Sequence, residues 1–277
     1  NVNNKLSKTL FKENEGSRNS STDLIVFQNY RNKVWNGSFG ESEIINSYGV
    51  KINKKTEWIE NNISKYFGMA ASYGYFESSA RENSLELINK RRLNFSFLRN
   101  NIYPIITPKT DPSINKNHLY TPFVIKKGLF FNVYSTLDLY RYSDSNYQNL
   151  FTIKAGPEII FGDFKKRFFD YTKISVLPKT TISSGQSPFA FDQSVDRHYV
   201  EFKINQQIIG PLVIKYSGDY NLDVNSEDYK RFINQRYEIS WNRRAYNIST
   251  YYDTQQKKGG INFSINSFSF DGFGNNF

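Results

Sequence analysis

The chain of 277 residues has no cysteine, which excludes disulfides, thiolate nucleophiles, cysteine-ligated zinc and iron–sulfur clusters. Its two histidines are too few for a histidine-rich metal site. Its Asp and Glu residues show neither paired spacing nor the pattern of a calcium loop, so neither a metal nor a cofactor is expected. One methionine against 24 phenylalanines and 20 tyrosines disfavours a helix bundle and favours strands, where aromatic side chains fit the pleated surface. No apolar run reaches the ~18 residues that a membrane-spanning helix needs. The opening NVNNKLSKTL has no start methionine and no signal-peptide pattern. It reads as a processed chain or the C-terminal piece of a longer one.

What remains is basic and aromatic. There are 36 Lys and Arg against 26 Asp and Glu, a net charge of +10, and 17% of residues are aromatic. Aromatic content at this level argues against global disorder. The mean hydropathy of −0.61 does not decide between a soluble and a membrane protein, because a transmembrane barrel is apolar only at alternate residues.

Residues 1–20 are polar and rich in Asn, Lys and Ser, and are expected to be a flexible lead-in before a β domain over 21–277. TDLIVFQNY, SEIINSYGVKI and KYFGMAASYGYF, separated by Asn/Gly/Ser clusters, have the pattern of strands and turns. In the last of these Phe67, Met69, Ala71, Tyr73 and Tyr75 share one face, opposite the small residues Gly68, Ala70, Ser72 and Gly74. TEWIENNISKYF also carries Ile59, Ile63, Tyr66 and Phe67 at helical spacing and is the one candidate for a helix. Residues 104–122, with four prolines and no alternation, are expected to be a long loop.

The C-terminal half alternates most clearly. Val200, Phe202 and Ile204 interleave with Glu201, Lys203 and Asn205, and the chain turns at Gly210-Pro211 into Leu212, Ile214 and Tyr216. Tyr237, Ile239 and Trp241 follow, then Tyr246, Ile248, Thr250 and Tyr252, then Ile261, Phe263 and Ile265. Strands of about ten residues joined by tight turns fit a membrane barrel, whose strands need ~9–11 residues to cross. A soluble sandwich also alternates, but its strands average ~5–6 residues. The expectation is an all-β, antiparallel transmembrane barrel, or the C-terminal part of one, of roughly a dozen strands. Phe202, Ile204, Ile214, Ile239, Ile248 and Phe263 would then face lipid, and Lys203, Lys215, Glu238 and Ser264 the lumen. Tyr199, Tyr216, Tyr237, Trp241, Tyr246 and Tyr252 are candidates for an aromatic girdle.

Candidate chemistry is sparse. Ser194, Asp196 and His198 could form a hydrolase triad, but proximity in one loop supplies no oxyanion hole, and a polar loop at a strand entrance explains them better. His118, in the proline-rich segment, carries less. The clusters Lys90-Arg91-Arg92, Lys165-Lys166-Arg167, Arg243-Arg244 and Lys257-Lys258 read as turn or rim positions facing lipid phosphates or a polar lumen. With basic residues dispersed in this way, nucleic acid is not an expected partner. At the C-terminus, Lys258, Gly260, Phe263 and Ile265, with the final Phe277, have the arrangement of the β-signal read by the barrel-assembly machinery.

The segments GPEIIFGDFKKRFFDYTKISVLPKTTI and HYVEFKINQQIIGPLVIKYSGDYNLD resemble the barrel domain of cyanobacterial LptD-like outer-membrane proteins, over roughly residues 120–277. RYEISWNRR is similar to a near-terminal LptD strand, with Tyr237, Glu238 and Trp241 matching and Ser240 where the enterobacterial proteins carry cysteine. The disulfide maturation of those proteins cannot operate in a chain without cysteine. The resemblance implies a non-enzymatic role in lipopolysaccharide transport and assembly at the outer membrane of a Gram-negative-type, cyanobacterial cell. It also implies membrane lipids, the assembly machinery, a plug lipoprotein and a periplasmic bridge as partners. A full LptD barrel has about two dozen strands, so this chain would be a smaller barrel or part of a larger one. A generic porin-like or structural barrel is the alternative, and an outer-membrane hydrolase the third.

Overall fold

Apolar alternation becomes strand wherever a turn signal bounds it. The computed structural model describes residues 2–16, 18–80, 85–108, 120–121 and 125–265. These hold β1 (Val2–Glu15), β2 (Arg18–Trp35), β3 (Glu41–Glu60), β4 (Ile63–Ser79), β5 (Leu87–Ile106), β6 (Gly128–Tyr142), β7 (Tyr147–Phe161), β8 (Thr172–Gly185), β9 (His198–Ile209), β10 (Leu212–Asn221), β11 (Phe232–Asn242), β12 (Tyr246–Asp253) and β13 (Lys258–Ile265). They form one sheet of 13 strands in chain order, each antiparallel to the next. Among the described residues the helical elements are two short 3-10 turns, Gly37–Phe39 and Ala190–Asp192. No described helix is long and apolar enough to cross a membrane, which says nothing of strands.

Three expectations change. The polar N-terminus is a strand hairpin of β1 and β2 rather than a lead-in, because cross-strand pairing of β1 with β2, itself paired with β3, outweighs its weak β propensity. The expected loop at 104 starts later, since Pro104 to Ile106 still belong to β5; residues 109–119 and 122–124, His118 among them, lie outside the described residues. TEWIENNISKYF is a hairpin. Asn61 and Asn62 sit at φ 51° and 63°, the left-handed pair that a two-residue turn between twisted strands needs and that Asn tolerates.

The sheet curls. β3 and β13 lie ten strands apart in the order, about 48 Å if the sheet were flat. Yet Lys258 Nζ at the head of β13 sits 2.5 Å from Glu41 Oε2 at the head of β3. Among the described residues β1 and β13 do not pair, so the curled sheet keeps a seam between its edge strands.

The curl sorts side chains by chemistry. The convex face carries Val26, Val50, Ile52, Tyr73, Phe95, Leu137, Phe151, Ile153, Ile204, Ile214, Ile239 and Phe263, all exposed. The concave face carries the polar alternates, among them Ser47, Asn94, Ser175, Thr181, Gln207, Ser240 and Ser249, all buried. Opposite chemistry on the two faces follows from the period of two. Its sense is inverted relative to a soluble sheet, which buries its apolar face.

Candidate functional site: the concave face and its in-turned loop

The β8–β9 connection, residues 186–197, turns inward across the concave face rather than out from the rim. Phe189 is fully buried and forms an isolated bridge with Ala80, just beyond β4. Its ring packs with those of Phe76, Tyr142 and Phe191 at centroid distances of 6.2, 5.9 and 5.1 Å. Ile44 completes this apolar cluster, which is the only such cluster described inside the sheet.

Beside the cluster lies a buried ion pair. Arg92 Nη1 donates to both oxygens of Asp192, at 2.7 and 2.6 Å, and Tyr142 Oη donates to Asp192 Oδ2 at 3.0 Å. The guanidinium stands 4.2 Å from the ring centroid of Phe76 and 5.6 Å from that of Phe191, so its planar faces are covered as well. Gln148 adds a further tie, its Nε2 donating to Asp192 O at 2.8 Å and its Oε1 accepting from Ser187 N at 3.2 Å.

The loop is also fixed at the rim. Asn36 Nδ2 donates to Ala190 O and Gln193 O at 2.8 and 3.0 Å. Asp196 accepts from Ser38 N at 2.8 Å, Asn221 Nδ2 at 2.8 Å and Ser226 Oγ at 2.6 Å. Between these elements is a polar cavity of about 350 Å³, lined by Ser38, Gln193, Ser194, Asp196, Asp223 and Asn225 among others. Burial would push the Asp223 carboxyl up, but the N–H groups of Arg197 and Asn225 and the Arg197 guanidinium hold it below the usual carboxylate range.

The opposite wall is lined by ion pairs. Lys154 and Lys203 both reach Glu201, at 3.2 and 2.7 Å. Lys173 meets Glu158 at 3.0 Å, and Lys215 meets Glu238 at 2.8 Å with Arg236 at 3.4 Å on the other oxygen. Each of these charges lies at an inward register position. Lys173–Glu158 and Lys215–Glu238 join adjacent strands, where cross-strand pairs interact. Lys154 reaches Glu201 across β8, and Lys203 and Arg236 pair within their own strands.

The predicted residues fall into place unevenly. Asp196 and Ser194 line the rim cavity, while His198 heads β9 at a register position shared with Val200 and Phe202 on the convex side. The three are not brought together, since the bonds of Asp196 go to Ser38, Asn221 and Ser226. Lys203, Lys215 and Glu238 are inward, and Ile204, Ile214, Ile239, Ile248 and Phe263 are outward and exposed. In the girdle set, Tyr216, Tyr237 and Tyr252 form one cross-strand row, with Tyr216 and Tyr237 5.2 Å apart.

Trp241 lies four residues further along β11, about 13 Å, and Tyr246 heads β12 at that same end. This spacing is well short of the ~25 Å between two interfacial belts. Tyr199 does not belong to the girdle. It pairs with Lys179 on the concave side, whose Nζ is 4.4 Å from its ring, because one residue of offset reverses the face.

In the last strand, Phe263 and Ile265 point outward and are exposed, and Lys258 reaches Glu41. A Cβ on Gly260 would lie 2.8 Å from Tyr251 Oη, so this glycine makes room for a ring that Arg236 covers from 3.7 Å. Phe277 lies outside the described residues. The Arg92–Asp192 pair was not legible as such. Lys90-Arg91-Arg92 reads as a rim cluster, and nothing local announces a carboxylate one hundred residues away.

Comparison with known proteins gives one family. The family model described as "Protein of unknown function (DUF3769)" matches residues 1–269. No curated protein and no solved structure matches the chain.

Proposed function

The chain belongs to the DUF3769 family, and we propose that it is an outer-membrane β-barrel protein that takes part in lipopolysaccharide assembly, as its LptD-like resemblance implies. The membrane part of this reading rests on one observation, the inverted sheet. Ile239 is 54% exposed and Phe263 62% on the convex face, while serines and ion-paired lysines fill the concave one. An apolar surface running across every strand far exceeds the patches tolerated in water. On β6 it extends from Phe131 to Leu139, about 27 Å along the strand, close to the ~25 Å band of outer-membrane barrels.

In this reading the assembly machinery engages β13 through Phe263 and Ile265, a periplasmic bridge delivers the lipid, and a plug lipoprotein would share the interior with the chain's own 186–197 loop. The chain itself performs no catalysis and holds no cofactor. Depleting the protein in its native cell is expected to lower surface lipopolysaccharide and raise it in the inner membrane. Unchanged surface lipopolysaccharide, with the protein gone, would reject the assembly role. A porin-like reading is favoured by the ion-paired wall of β7–β11, and stable ion conductance of the purified chain in a planar bilayer, with no partner added, would support it.

A further inference from the structure

At the end of the sheet that carries the short turns Asn61–Asn62 and Gly210–Pro211, the β7–β8 connection presents five consecutive exposed residues, Lys165 to Phe169. Phe168 and Phe169 are 53% and 64% exposed, although the backbone beneath them is clamped. The Asp170 carboxylate accepts from the N–H groups of Asp163, Lys165 and Lys166 at 3.2, 2.8 and 3.3 Å. The buried Gln207 amide accepts from Asp170 N and Tyr171 N and donates to Lys166 O and Gly210 O. Gly210 N in turn donates to Arg167 O at 2.7 Å. A loop this constrained does not expose two phenylalanines because it is slack; it holds them out.

The neighbouring β11–β12 turn adds Arg243 and Arg244. Tyr120 joins the two loops, its ring 5.8 Å from that of Phe164 and 5.6 Å from the Arg243 guanidinium. The nearby acids are already engaged. Asp163 pairs with Lys127 at 3.1 Å and Lys165 at 3.6 Å, and Asp170 is held by backbone. The patch is therefore net positive, and it adjoins the apolar convex face directly at exposed Phe161 and Trp241.

We propose that this basic and aromatic end of the sheet grips anionic phospholipid headgroups, with Lys165, Lys166, Arg167 and the Arg243–Arg244 turn on the phosphates and Phe168 and Phe169 inserted beside them. The inference rests on the membrane reading above and adds a lipid class and an end of the molecule to it. Continuity with the convex apolar face favours lipid over an acidic protein, because the charges lie where a bilayer covering that face would end.

The test reconstitutes the full chain in phosphatidylcholine vesicles containing brominated phosphatidylglycerol or brominated phosphatidylcholine, and reads quenching of Trp241 fluorescence in a Trp35→Phe/Trp58→Phe background. The parent should prefer the anionic lipid by about tenfold, less at high salt. Lys165→Glu/Lys166→Glu/Arg167→Glu should lose the preference while remaining quenched, and Lys165→Arg/Lys166→Arg should keep it. Phe168→Ala/Phe169→Ala should weaken quenching by both lipids. Equal quenching of the parent by the two lipids would overturn the headgroup site and leave the membrane reading intact. No quenching by either would overturn both. Binding of poly-glutamate to the parent, abolished in the charge-reversed variant, with no anionic-lipid preference in the parent, would assign the patch to an acidic protein partner instead.

Discussion

Strands β3–β6 and strands β7–β11 line the same concave face and fill it by different means. The first group is covered by its own chain. Phe189 and Phe191 descend from the 186–197 loop onto Ile44, Phe76 and Tyr142, and the charge pair of Arg92 with Asp192 is sealed beneath them, with Lys90–Asp144 at the rim. The second group is covered only at its rim, where Gln148 holds the loop, and lysines and glutamates satisfy each other along the rest of its wall. Where a loop excludes water, aromatic packing and an enclosed ion pair line the wall. Where the interior stays open, many exchangeable ion pairs do. The two linings should respond differently to substitution.

The largest effect is expected at the covered side. Arg92→Ala leaves Asp192, whose side chain is 10% exposed, buried without its partner, a change that costs about 3–5 kcal/mol in comparable cases. Protease sensitivity within 186–197 should rise sharply with it, while Arg92→Met/Asp192→Leu should retain more of the stability. Sensitivity unchanged in Arg92→Ala would mean that the loop is held elsewhere.

Next comes the contrast between the two faces. Ile239→Arg on the convex side is expected to lower unfolding stability in a bilayer by about 2–4 kcal/mol. Lys215→Arg, one strand away on the concave side, should be nearly silent. A third effect belongs to the covered half alone. Phe27 lies over the paired glycines Gly49 and Gly74, and a Cβ on Gly74 would sit 3.0 Å from its ring and 2.8 Å from Tyr48 O. Gly74→Val should therefore cost about 1–3 kcal/mol by overpacking, measured by urea midpoint.

The rim supplies a pH dependence. Because Asp223 is held below its ordinary value, its stabilisation is complete above the unfolded carboxylate pKa of about 3.9 and is lost as pH falls through the lower folded value. Hydrogen exchange in residues 222–231 should quicken only in that acid window, and Asp223→Asn should remove the dependence. The smallest effect is expected in the open ladder. Glu238→Gln, among part-exposed lysine and arginine partners, should change stability by less than about 1 kcal/mol. A larger loss would show that this wall is not water-filled.

Much of this was legible in the sequence, because a strand wall is a local pattern. Ile204, Ile214, Ile239 and Phe263 declare their face by alternation alone, and Gly210-Pro211 declares its turn. β1 was not legible, since its polar run becomes strand only by pairing with β2. The 186–197 loop was not legible either. Its course depends on Phe189 meeting Phe76 and on Asp192 meeting Arg92, contacts across about a hundred residues that no spacing encodes. For the same reason Arg92 reads as rim charge and is in fact the most enclosed cation of its cluster. Tyr199 shows the opposite error, for its place in the alternation already put it on the polar side.

The central claim is that the convex face meets hydrocarbon and the concave face meets water. Spin labels placed singly at 204, 214, 239, 248 and 263, and at 203, 215, 238 and 264, in the vesicle-reconstituted chain test it most directly. The first set should relax with oxygen and ignore an aqueous nickel reagent, and the second should do the reverse. Aqueous access at both sets, or at neither, would contradict the account.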